Sequence, residues 1–108
     1  MSQHIFYTMH ENEQTKIMMG WDRPLQGFFM VIEKDSDIDR PFWSNLFQKP
    51  SHQKTLDGYL SLLDKFKIQI PQKMIDEILA DGKNNEGNKE IKHSIDGGAY
   101  KREVCDEL

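Results

Sequence analysis

A single cysteine, Cys105, is found in 108 residues, so no disulfide can close within the chain and the fold must rest on packing alone. Long apolar runs are missing too. No window approaches the roughly 18–20 consecutive apolar residues that cross a bilayer as a helix. The opening MSQHIFYTMHENEQ has no basic stretch leading into an apolar one, as a signal peptide would. The expectation is a soluble, cytoplasmic protein with no membrane partner. Positive charge is also scarce, with 14 Lys and Arg against 18 Asp and Glu, a net charge of −4. No segment gathers Lys and Arg into a stripe, which argues against binding that tracks nucleic-acid phosphates. An acidic surface suits solubility, or docking to a basic partner.

Motifs that would signal chemistry are missing as well. None of the serines sits in a G-x-S-x-G elbow, and Cys105 lies near the end of the chain. His4, His10, His52 and His93 show no metal-ligand spacing with one another or with the cysteine. On one strand, His4 and His10 would stand roughly 20 Å apart, too far for one ion. Each histidine therefore reads as a surface or partly buried side chain. An EF-hand loop starting at Asp35 would need Gly at residue 40 and Glu at residue 46, where Arg and Leu stand. GKNNEGNK, residues 82–89, lacks the Gly-Lys-Ser/Thr ending of a phosphate-binding loop. The final CDEL has acids where a prenylation box is aliphatic, and a cysteine where the ER-retention tetrapeptide is basic. No catalytic residue, metal ligand or cofactor is assigned from the sequence.

What the chain does contain is enough clustered apolar and aromatic material for one core. HIFYTM (4–9), KIMMGW (16–21) and LQGFFMVIE (25–33) read as three strands joined by short polar turns. Residues 34–54 form a long connection, with Trp43, Leu46 and Phe47 expected to tuck back onto the core around an edge strand or helical turn. Thr55 is placed to cap a helix carrying Leu56, Tyr59, Leu60 and Leu63 on one stripe. Pro71 opens a second helix, with Met74, Ile75, Ile78 and Leu79 on its buried face and Gly82 as its stop. KEIKHSI and AYKREV complete the chain as one or two strands around DGG. The expected fold class is α+β. An antiparallel β-meander of three N-terminal strands plus one or two C-terminal strands is packed by an α-helical hairpin on one face. Residues 1–104 form one domain and 105–108 a frayed tail.

GWDRPLQ-x-FF with the following VIE, FWSNL, KTLD-x-YL and GNKE together resemble an uncharacterised family of small bacterial proteins, some of them near mobile or phage-derived elements. That resemblance implies no activity and no catalytic residues.

The leading functional expectation is a small acidic module that binds another protein and does no chemistry. Its candidate binding residues are Trp21, Asp22, Arg23, Asp35, Asp37, Asp39 and Trp43. Trp21 and Trp43 are either core residues or interface anchors ringed by polar groups. The alternating acids Asp35, Asp37 and Asp39 suit a solvated loop or the docking of a basic partner. One version of this expectation is a mobile-element inhibitor of a host nuclease or defence complex. The rival is a small metal- or ligand-dependent enzyme using Asp22, Arg23 and the loop carboxylates, which requires a pocket where they converge. A homodimer paired through a sheet edge is the third possibility. Asp22-Arg23-Pro24 reads most simply as the turn between the second and third strands.

Overall fold

Apolar and aromatic runs over the first third of the chain form three long strands, the third buried on both faces along most of its length: β1 (Ser2–His10), β2 (Glu13–Asp22) and β3 (Gly27–Lys34). They pair antiparallel in sequence order. Glu11 and Asn12 connect β1 to β2, both in the left-handed region at φ 53° and 66°, the backbone that a two-residue hairpin loop demands. The register aligns Phe6 with Ile17 and Ile17 with Ile32, so one apolar row crosses three strands. The computed structural model describes residues 1–36, 40–96 and 98–106. Two of the acids singled out above, Asp37 and Asp39, lie outside them.

A two-residue strand, β4 (Trp43–Ser44), runs into a short 3₁₀ turn, Asn45–Phe47. Two helices follow, α1 (Asp57–Lys65) and α2 (Gln72–Lys83), then strands β5 (Lys89–Asp96) and β6 (Ala99–Asp106). The result is a mixed α+β fold, a six-stranded sheet in the order β4-β3-β2-β1-β5-β6 with two helices. One pairing departs from an all-antiparallel meander: β5 lies parallel to β1. The chain between them carries both helices and crosses from one end of the sheet to the other, which is what a parallel pairing requires.

Tyr59 and Leu63 of α1 and Met74 and Ile78 of α2 pack with Phe6, Ile17, Met19, Met30 and Ile32 in one buried cluster. Tyr59 is fully buried, and its hydroxyl donates to the Phe28 carbonyl at 2.9 Å. Burial pushes that hydroxyl's pKa upward. No described helix is long and apolar enough to cross a membrane.

Two local expectations are corrected. Thr55 does not cap α1; Leu56 holds the cap position without a side-chain bond. Gly82 does not stop α2, which continues to Lys83. Its lack of a side chain serves contact instead, because a Cβ there would come within 2.7 Å of the Phe28 ring. The turn after α2 is made by Asn85, at φ 52°.

Candidate functional site

Residues 42–47 are fixed from several sides. Phe42 donates its backbone N–H to Ile32, and β4 pairs with Val31 and Ile32 at the sheet edge. The Ser44 side chain accepts from the Leu46 N–H. Asn45 is buried, and its amide donates to the Ser51 carbonyl at 2.8 Å. Trp43 leans edge-on against Tyr59, with ring centroids 5.9 Å apart. The expectation that Trp43, Leu46 and Phe47 all return to the core therefore holds for Trp43 alone. With Asn45 turned inward, the two residues that follow it face out, and Leu46 and Phe47 are 71% and 60% exposed. An apolar pair on a pinned backbone is what remains at the surface.

The other candidates lie at the β2–β3 turn. Trp21 is a core residue, 8% exposed and edge-on to Phe28, with its indole N–H donated to Asn85 at 3.0 Å. Gln26 donates to the same Asn85 oxygen, which ties the turn to the end of α2. Asp22 is nearly buried. One of its oxygens accepts from the Leu25 N–H and closes the turn, while the other lies 3.1 Å from His52 Nε2. The Ser51 hydroxyl stands 2.9 Å from Nδ1 of the same ring. Arg23 is exposed and passes beside Gly87. Asp35 is exposed at the far end of β3, hydrogen-bonded through its backbone to Gln14, and is not brought to Asp22.

Two clefts open near this turn. The first, about 520 Å³, is lined by Gln3, Asp22, Pro24, Asn88, Lys89 and Glu90. Asp22 and Glu90 both line it, but with a lysine instead of Arg23 and with no described residue of the acidic loop. The second, about 470 Å³, is lined by Leu25, Pro50, Ser51, His52, Lys54 and Thr55 among others. No group of three or more potential metal ligands occurs among the described residues.

Sequence reasoning missed a buried polar chain that begins at Lys89. Its ammonium contacts one Asp81 oxygen at 2.6 Å, and the other oxygen meets His4 Nε2 at 2.6 Å. His4 Nδ1 faces His93 Nε2 at 2.8 Å, and His93 Nδ1 meets the Tyr100 hydroxyl. Glu77 lies beyond, gripped by Arg102 through two bonds of 2.8 and 2.9 Å. Both histidines are essentially inaccessible, which corrects their reading as surface or partly buried groups. A signal was present: His4 precedes Phe6 by two residues and His93 follows Ile91 by two, so each shares a strand face with a core residue. Burial, then the nearby His4, lowers the His93 pKa to about 4. Burial pushes Asp81 upward, yet hydrogen bonds from His4, Lys89 and Ser2 outweigh it and hold the carboxyl below its ordinary value.

Compared with known protein families, curated proteins and solved structures, the chain has no match.

Proposed function

We propose that the chain acts by binding another protein through the loop of residues 42–47. The exposure of Leu46 and Phe47 on a backbone pinned by Ser44 and Asn45 carries this reading. A flexible loop would lose entropy on docking, whereas a rigid one has largely lost it already in folding. Covering a Leu and a Phe side chain contributes about 1.5–3 kcal/mol each. Trp43, half-buried, packs edge-on against Phe47 with ring centroids 6.4 Å apart and extends the apolar surface. Apolar anchors of this kind, surrounded by polar residues, form the centre of many interfaces. The net charge of −4 favours a partner with a basic rim around its apolar groove.

A double variant, Leu46→Ser with Phe47→Ser, tests the reading. Both side chains are exposed, so the variant should unfold at the same temperature as the parent. Immobilised parent and variant are exposed to the same cell extract and the retained proteins compared. The expected result is a protein held by the parent and released by the variant, with the parent monomeric in sedimentation. Identical retention by both would overturn the assignment to this loop. Self-association abolished by the double variant would replace the foreign partner with a second copy.

A further inference from the structure

Ser51, His52 and Asp22 form a connected triple whose hydrogen-bonding demands agree. The Asp22 carboxylate accepts, so the proton of a neutral His52 ring sits on Nε2, 3.1 Å from Asp22. Nδ1 then carries a lone pair, and the Ser51 hydroxyl 2.9 Å away donates to it. This is the arrangement in which an imidazole removes a serine proton while a carboxylate fixes its tautomer. The carboxylate is itself held, its second oxygen accepting from the Leu25 N–H at 3.3 Å. His52 is closely seated: a Cβ on Gly27 would lie 2.7 Å from the His52 Cβ, so β3 approaches the base of the side chain and its backbone only because residue 27 has no side chain. The Asp22 and His52 side chains are 9% and 11% exposed, which shields their contact from water. Ser51 borders the 470 Å³ cleft together with Leu25, Pro50 and Lys54. The Lys54 ammonium donates to the Gln26 carbonyl at 2.7 Å, so a positive charge borders the same cleft as Ser51.

We propose that Ser51 is an activated nucleophile for acyl transfer from a small carboxylic ester whose apolar portion lies on Leu25 and Pro50. Ser51 Oγ bonds to the acyl carbon as its proton passes to His52 Nδ1. Collapse of the tetrahedral adduct breaks the bond to the leaving oxygen, which takes that proton from His52. Water then attacks the Ser51 ester and gives a proton to His52, and Ser51 regains it as the acid departs. Ser51 and His52 are the catalytic residues and Asp22 is a positioning residue. The site shares no side chain with the Leu46–Phe47 surface, although the Ser51 carbonyl accepts from Asn45, and failure of its chemistry would leave the binding proposal standing.

The test is covalent labelling of the full chain by diisopropyl fluorophosphate, followed by intact mass and peptide mapping. One adduct is expected, on Ser51. Ser51→Ala should abolish it. His52→Gln should slow it by about 100-fold or more, within the range of lost general-base catalysis. In Asp22→Asn the amide favours the opposite tautomer, so labelling should fall while the unfolding temperature stays near that of the parent. An unmodified parent chain overturns the proposal without any variant. Modification of Ser51 at the same rate in His52→Gln, or equally at other serines, also overturns it.

Discussion

His4 and His93, 89 positions apart, hydrogen-bond ring to ring at 2.8 Å inside the protein. Two proton arrangements satisfy the chain they belong to. With both rings neutral, His4 donates from Nε2 to Asp81, His93 donates from Nε2 to His4, and Tyr100 donates to His93 Nδ1. With one added proton on His4, that ring donates to both neighbours. His93 then donates from Nδ1 to Tyr100, and the tyrosine hydroxyl turns toward Glu77, 3.5 Å away. A second added proton has no acceptor facing it. That geometry agrees with the lowered basicity of His93, and it joins β1, β5, β6 and α2 through polar contacts where the apolar core ends.

Stability should therefore fall in mildly acidic solution. An unfolded histidine binds a proton near pH 6.5, whereas the folded His93 resists until about pH 4. Its contribution is complete above pH 6.5 and drains away as pH falls toward 4, at about 1.4 kcal/mol per pH unit at most. The loss over the whole window is roughly 3 kcal/mol. Asp81, held below its ordinary value, adds a loss of the same sign at lower pH. Urea unfolding at several pH values checks this, with His93→Gln for comparison. The variant should be flatter between pH 6.5 and 4; equal slopes would contradict the assignment.

Asp81→Asn should cost about 3 kcal/mol. It leaves His4 and Lys89 facing a neutral amide, and breaking a buried charged contact is expensive for the partners left behind. Glu77→Gln is the contrast. Its Arg102 partner is 44% exposed at the side chain, and exposed pairs contribute only about 0–1 kcal/mol. Denaturant midpoints for the two variants should therefore separate clearly.

Much of the architecture could be read from local pattern. Alternation in residues 4–9 and the apolar runs of 16–21 and 25–33 reveal three strands, and Leu56, Tyr59 and Leu63 mark the first helix by spacing alone. The parallel β1–β5 pairing was hidden because strand direction is set by the route of a crossover, to which neither strand's composition responds. Asp22 was legible as a turn residue, but its contact with His52 depends on where a distant irregular segment is laid down. The exposure of Leu46 and Phe47 was illegible for a related reason. Their hydrophobicity predicts burial, and only the inward turn of Asn45 decides otherwise.

Glycine substitutions should divide by contact and not by helix propensity. Both Gly58 and Gly82 are helical, and alanine at either gains up to about 1 kcal/mol of propensity. At Gly58 a Cβ meets nothing within 4 Å, so Gly58→Ala should raise the unfolding temperature. At Gly82 it would stand 2.7 and 2.9 Å from the Phe28 ring, which cannot retreat from Trp21, its edge-on neighbour. Overpacking costs about 1–3 kcal/mol, so Gly82→Ala should be net destabilising by calorimetry despite the better helix former.

Lys34 ties the end of β3 to the β1–β2 turn. Its side chain is only 6% exposed; the ammonium contacts Glu11 at 2.7 Å and stands over the Phe42 ring at 4.3 Å. Glu11 carries the effect visibly, its carboxyl held below the ordinary value by the hydrogen bond and charge of Lys34. Burying an ammonium forfeits hydration, and the mostly exposed Glu11 returns little of it. A methionine of similar length would keep the packing on Phe42 without that loss. Lys34→Met should accordingly change stability by less than about 1 kcal/mol, in either direction. Lys34→Ala, which also empties the space over Phe42, should cost more than Lys34→Met. Urea unfolding of the pair separates packing from charge: equal losses in both variants would mean that the ion pair, and not the stem, holds this end of the sheet.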